Sequence, residues 1–182
     1  GNNQDTLQAR VNGYLQLNQN KYPAQAIHRI DYETSGLVLF CKHPFFQAYC
    51  DKNMEEHHIK KDYIALVQGH TNYKNKKIVS NIARDRHNAK KMIIHPNGKE
   101  SVSIFNTLKN YKDCSLIQVT ILTGRKHQIR VQCASLNHPI LNDSLYGGKK
   151  IDNTGLLLQS HHIIQFNDVD ITCPQEKRFI RK

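Results

Sequence analysis

Two long runs of strand-forming residues, 102–111 and 115–122, flank Lys112-Asp113, a short polar step that reads as a hairpin turn. A chain that commits this much length to one antiparallel pair has to cover at least one face of it. The rest of the sequence supplies candidates. Residues 62–68 read as a strand in which Tyr63, Ala65 and Val67 alternate with Ile64 and Leu66, closed by Gly69. Shorter strands are expected at 78–82 and 92–95, and a final strand pair at 155–166 and 168–172. The continuous apolar run GLVLFCK, residues 36–42, predicts one further buried strand.

Helical spacing occurs in three places. Leu7, Val11, Tyr14 and Leu15 form a short pattern within the polar residues 1–26. Pro44 is suited to opening a second helix, whose stripe Phe46, Tyr49, Cys50 and Met54 reads as core and which ends near His58. A third is expected from about Lys126 to Leu136, burying Ile129, Cys133 and Leu136. Strands in series with a few helices define an α+β class: a mixed, mostly antiparallel sheet with flanking helices. At 182 residues the chain has room for one such domain over 1–182.

Composition narrows the partners. Lys and Arg number 26 against 15 acidic residues, a formal charge of +11, which favours a polyanion because each neutralised phosphate releases counterions. The basic segments 74–77, 84–87 and 90–91, Lys149-Lys150 and the tail 177–182 could equally be a solvated face, although an RNA partner would use them as phosphate contacts. Five cysteines, odd in number and with no C-x-x-C pair, read as reduced thiols in a cytoplasmic protein. No apolar stretch approaches the length of a membrane span. His57-His58 and His161-His162 could suggest metal, but adjacent histidines on a helix diverge by about 100°. No carboxylate or thiol cluster completes a ligand set, so no metal is expected.

Four segments carry the chemistry. His28-Arg29-Ile30-Asp31 runs into Thr34-Ser35-Gly36; Lys61 to Gly69 starts a strand with a phenol at Tyr63. Thr123-Gly124-Arg125-Lys126-His127-Gln128-Ile129-Arg130 combines a glycine turn with clustered donors at a helix start. His138-Pro139-Ile140-Leu141 is followed by Asp143, Leu145, Tyr146 and Gly147. A lone Asp before a turn is ordinarily a cap or turn former. Ser35 lacks the G-x-S-x-G context of a nucleophile elbow.

Taken together, the segments resemble the H-R-L-D-x-x-T-S-G, K-x-Y-x-A-L-V-x-G, T-G-R-x-H-Q-I-R and H-P-I-x-G-D-x-L-Y-G motifs of pseudouridine synthases of the RluA type, in that order. Ile30 stands where the family has Leu, Asn142 where it has Gly, and Gln159 where many members have His. The family's opening strand and its optional N-terminal RNA-binding module have no counterpart, so the natural chain is expected to start earlier.

The resemblance implies an RNA-modifying isomerase acting on ribosomal or transfer RNA, monomeric, with no cofactor and no obligate protein partner. Asp31 would be its carboxylate, either attacking a carbon or removing the C2′ proton. Arg130 would pair with Asp31, a nearby cation favouring the charged form. Tyr63 would lie against the uracil with its hydroxyl near the C5 proton. Arg29 would enter the RNA stack as the target base leaves it. Arg125, Lys126, His127, Arg84 and Lys90 would contact the RNA, while His28 and Thr34 would be structural. A catalytically silent RNA-binding domain on the same scaffold is the alternative, and a metal-dependent hydrolase lacks its carboxylates.

Overall fold

The computed structural model describes residues 5–165 and 169–180, in two compact units. The first comprises residues 1–30 and 38–59, the second 31–37 and 60–182. The turn expected between the final strands, and the tail residues Arg181 and Lys182, lie outside the described residues.

In the first unit, helix α1 (Leu7–Leu17) starts at Thr6, whose hydroxyl accepts the Ala9 N–H at 3.1 Å. Strand β1 (Gln25–Ala26) pairs antiparallel with β3 (Phe40–Cys41). A 3-10 turn, Pro44–Phe46, leads into α2 (Gln47–Glu55). The expected stripe on this helix is only half right. Cys50 is buried and Met54 half-buried, but Phe46 and Tyr49 are exposed. The 3-10 turn winds three residues per turn, so residues ahead of Gln47 fall out of phase with the α-helix behind them.

The second unit is a sheet of order β10-β9-β4-β8-β7-β5-β6. Its strands are β4 (Ile59–Gln68), β5 (Lys76–Arg84), β6 (Met92–Ile94), β7 (Lys99–Asn110), β8 (Cys114–Ile121), β9 (Leu158–Gln165) and β10 (Val169–Thr172). The β7–β8 hairpin forms as expected, with the Tyr111 N–H on the Cys114 carbonyl at 2.8 Å. Leu108, at the register shift between Thr107 and Lys109, is exposed at a bulge. Strand β4 is buried continuously from Tyr63 to Val67, because the segments around Ile140 and Leu157 also hydrogen-bond to it.

The run 36–42 is not one strand. Its front end belongs to β2 (Ser35–Gly36), which pairs parallel with β9 in the second unit, and its back end to β3 in the first. Gly36 is the cause: its φ of +103° ends the extended conformation. Helix α3 (Gln128–Ser135) is likewise shorter than expected, because His127 ahead of it is left-handed, with φ of 55°. Ile129 and Cys133 are buried as expected, whereas Leu136 is half-buried at the C-cap.

Cys41, Cys50, Cys114 and Cys133 are buried thiols and Cys173 is half-buried, none in a disulfide. No helix among the described residues is long and apolar enough to cross a membrane.

His162 ties edge strand β10 to the sheet. Its Nε2 lies 2.6 Å from Asp170 Oδ1 and its Nδ1 3.4 Å from Asp62 Oδ2. The Asp170 contact raises its pKa above the ordinary 6.5, against a smaller opposing effect of burial. A pKa raised in the folded state gives stability that is fully present below about pH 6.5 and lost as pH rises through the folded value. The stability difference between wild type and H162Q should therefore be largest near pH 5.5 and shrink towards pH 8, as read from urea unfolding at each pH.

Candidate active site

Asp31 sits half-buried at the start of a turn, its carbonyl accepting the Thr34 N–H at 2.9 Å. Two sets of contacts hold that turn to the second unit. Behind it, Ser35 and Gly36 pair with Gln159 and Ser160, and the Leu37 N–H reaches the Ser160 carbonyl at 3.0 Å. A Cβ at position 36 would stand 2.1 Å from that carbonyl oxygen, so only glycine fits. The Ser35 hydroxyl donates to Glu176 and accepts from Arg178 Nη2 at 2.8 Å. Arg178 also pairs with Glu176 at 2.6 Å and donates to the carbonyls of Thr154 and Leu156. Arg178 was expected to widen the basic footprint, but its side chain is spent inside the protein.

On its other side the turn reaches Arg130. Glu33 Oε2 lies 3.3 Å from Arg130 Nη2. The principal partner of Arg130, however, is Asp143. Nε and Nη2 each donate to one carboxylate oxygen at 2.8 Å, a two-pronged contact between side chains that are 4% and 0% exposed. The expected pairing of Arg130 with Asp31 is therefore replaced by one with Asp143 and Glu33. Burial opposes the arginine's charge, but the Asp143 hydrogen bonds and nearby carboxylates outweigh it and raise its pKa, with Asp31 acting at longer range.

Tyr63 is buried on β4, and alternation along the strand sends its neighbour Asp62 to the opposite face. Asp62 accepts from Gln118 Nε2 at 3.0 Å and the Thr120 hydroxyl at 2.5 Å. Burial pushes the Tyr63 phenol up to about 12, with the Ser160 hydroxyl pulling the other way and the Asp31 charge adding to the rise. Lys61 is also buried, which lowers its pKa.

The loop from Thr123 to Arg130 is fixed by Gln128. Its Oε1 accepts from the Thr123 hydroxyl at 2.8 Å and the Arg125 N–H at 3.0 Å, while Nε2 donates to Val102 O and Ser103 Oγ. Arg125 and Lys126 are thereby left exposed, with Arg125 Nε reaching the Glu100 carbonyl. His127 differs from them. It is buried, its Nδ1 is 2.8 Å from the Tyr146 hydroxyl, and burial lowers its pKa, so its imidazole is engaged inside the protein rather than open to the RNA contact expected of it. Tyr146 also accepts the Met92 N–H at 2.9 Å and lays its ring 5.2 Å from the Arg130 guanidinium. It thus connects α3 to β6.

Arg84, at the end of β5, and Lys90, in the following turn, are exposed beside that connection. Arg29 is exposed on the first unit, where His28 Nε2 accepts the Leu39 N–H at 3.1 Å in the supporting role expected of it. Sequence reasoning gave no role to Glu33, Asp143 or Tyr146. Asp143 and Tyr146 stand inside a quoted motif, which was the available signal, whereas nothing marked Glu33.

The departures from the family motifs fit locally. Asn142 adopts φ of 64°, the left-handed region that glycine enters freely and asparagine tolerates. Its side chain spans Asp152, Gly155 and Ile151. Gln159 is fully buried and donates to the Pro174 carbonyl at 3.0 Å.

A family described as RNA pseudouridylate synthase matches residues 2–135. An uncharacterized RNA pseudouridine synthase of Bacillus subtilis (strain 168) is 37% identical over 145 residues, 79% of this chain and 48% of that protein. Ribosomal large subunit pseudouridine synthase D of Borreliella burgdorferi is 32% identical over 171 residues, 91% of this chain and 51% of that one. Among solved structures, human RNA Pseudouridylate Synthase Domain Containing 1 matches with a TM-score of 0.76 at 25% identity, covering 84% of this chain and 69% of that chain. The chain belongs to the RNA pseudouridylate synthase family. It spans about half the length of these curated relatives.

Removing one member of a buried ion pair strands the other charge, at a cost of about 3–5 kcal/mol. D143N should lower unfolding stability by roughly that much, measured by chemical denaturation. R130K should also lose stability, because an ammonium cannot reproduce the two-pronged contact.

Proposed function

We propose that this chain is a catalytic domain, over residues 1–182, that isomerises uridine to pseudouridine in structured RNA of the ribosomal or transfer class. The observation that carries this reading is Asp31 on a turn fastened by Gly36, Ser35 and Glu33, with Tyr63 and Arg130 within its electrostatic reach, in a chain of this family.

The reaction breaks the N1–C1′ glycosidic bond, turns the uracil, forms C5–C1′ and releases the C5 proton. Asp31 supplies the carboxylate, at a carbon or at the C2′ proton, and acts in its ionised form either way. Tyr63 offers the uracil a flat face and a phenol that keeps its proton at neutral pH. Arg130 acts as a positioning residue, holding Glu33 and through it the Asp31 turn. Arg29 fills the stack vacated by the extruded base. Arg84, Lys90, Arg125 and Lys126 bind phosphates, and His127 supports the site from inside through Tyr146. The enzyme works in the cytoplasm as a monomer, without metal or cofactor.

The decisive assay uses ribosomal and transfer RNA transcripts tritiated at uridine C5, with chelator present. Wild type should release tritium, and D31N should release none while still binding RNA. Binding without release from either RNA would instead support the silent RNA-binding domain. Release only on adding metal would sink the mechanism.

The phosphate contacts predict a salt signature. With about five cations engaged, log Kobs should fall against log salt with a slope of roughly −3 to −5. Replacing Arg84 and Lys90 together with alanine should make it shallower by about 1.5. Nitrocellulose filter binding between 50 and 300 mM salt reads this, and a flat response would contradict the assignment.

A further inference from the structure

The Asp31 turn presents an aromatic ring that nothing among the described residues uses. Tyr32 is fully exposed, although both of its neighbours and the residues after them are engaged. Asp31 accepts the Thr34 N–H through its carbonyl, Glu33 is held by Arg130, and Thr34 is buried. Ser35 is held by Glu176 and Arg178, and Gly36 is packed against Ser160. Turn chemistry at position 32 asks for no aromatic side chain, since the turn's hydrogen bond and its anchors come from other residues. A lone exposed aromatic is ordinary on a protein surface. This one differs in its placement, one residue from the carboxylate on a backbone pinned at both ends.

Rigid mounting matters energetically. A tyrosine has few rotatable bonds, and its backbone is already ordered, so engaging its face with a flat ligand costs little entropy. The same unit also carries Arg125 and Lys126, exposed cations suited to phosphates. Exposed rings are the surfaces on which unpaired nucleic-acid bases stack, whatever their identity, while cations elsewhere hold the phosphates.

We propose that Tyr32 is a stacking platform for an unpaired RNA base flanking the target uridine, holding the strand in place while that uridine is extruded. The inference rests on the reading of the chain as an RNA pseudouridine synthase. It adds a binding residue to that reaction, one that contacts a neighbouring nucleotide rather than the reacting base. Because stacking tolerates every base, Tyr32 contributes affinity and position, not sequence choice.

The test compares the full chain with Y32A, Y32F and Y32W, using the same transcripts tritiated at uridine C5. Y32A should bind RNA roughly fivefold to a hundredfold more weakly, the usual effect of deleting a base-stacking aromatic. Its KM for RNA should rise in proportion, while the single-turnover rate at saturating RNA stays within about threefold of wild type. Y32F and Y32W, which keep a ring, should match wild type. Unfolding midpoints should be unchanged throughout, because a fully exposed side chain contributes no packing.

Wild-type affinity in Y32A would overturn the proposal, and so would a Y32F defect equal to that of Y32A, which would assign the effect to the hydroxyl. If wild type binds RNA without releasing tritium, the synthase reading fails while the binding series still decides on Tyr32. A wild-type chain that binds no RNA overturns both.

Discussion

A guanidinium with almost no contact with water stays charged only where carboxylates and ring faces replace its hydration, and Arg130 has both. Asp143 takes an N–H from each of Nε and Nη2, Glu33 approaches the same Nη2, and Tyr146 covers a face. Meeting those demands dictates the loop around Asp143. Asn142 has to turn left-handed, Gly148 has to pass too close to the Ile140 carbonyl for any side chain, and Tyr146 has to point inward from a 3-10 turn (Ser144–Tyr146). The same ring then reaches His127 and the Met92 N–H, so the placement of β6 follows from the burial of one arginine.

This arrangement changes the part that Arg130 plays. An arginine already matched by a fully buried carboxylate has little charge left to lend to Asp31, and its contribution is to hold Glu33 and hence the turn. Asp31 is then free of a direct ion pair among the described residues, and its carboxylate oxygens are available to a substrate. Tyr63 faces the same region as an uncharged phenol, because burial disfavours the phenolate. Under the proposed reaction the site therefore holds one anion and one neutral donor, an environment in which the carboxylate does the chemistry and the phenol shapes the pocket.

Much of this was legible in the sequence, for physical reasons that can be named. The β7–β8 hairpin and the β4 strand were written in period-two patterns and turn residues, and the sheet preserves both. The run 36–42 misled because hydrophobicity carries no information on φ, and Gly36 breaks the strand in the middle of an apolar stretch. Phe46 misled because a helical stripe assumes one uniform helix, whereas a 3-10 turn precedes α2, and Tyr49, inside α2, falls on the exposed side of its buried neighbour Cys50. Asp31, Tyr63 and Arg130 were singled out through motifs. Their true partners were not, because Glu33 and Arg130 are separated by 97 positions and no local pattern links them. The reverse error fell on His127, read as an RNA contact from its motif, and on Arg178, read with the basic tail, whereas packing turned both inward.

Long-range closure also explains why the Asp31 turn has so many attachments. Residues 31–37 leave the first unit for the second and return, so the segment has no secondary structure of its own beyond the two residues of β2. Beyond the turn's own Asp31–Thr34 hydrogen bond, the contacts that fix it come from far along the chain: 97 positions for Glu33 with Arg130, and 141 and 143 for Ser35 with Glu176 and Arg178. Each such contact has to overcome the entropy of closing a long loop, and those of Ser35 and Gly36 cannot form before β9 and the segment after β10 are in place. The carboxylate proposed to act in the reaction is thus mounted on the part of the fold that local propensity specifies least. The cost is met by redundancy, with a glycine that admits one close backbone approach, a serine shared between two charged partners, and a glutamate tied to the buried arginine. Tyr32 gains its stillness from the same redundancy, although it makes none of those contacts itself.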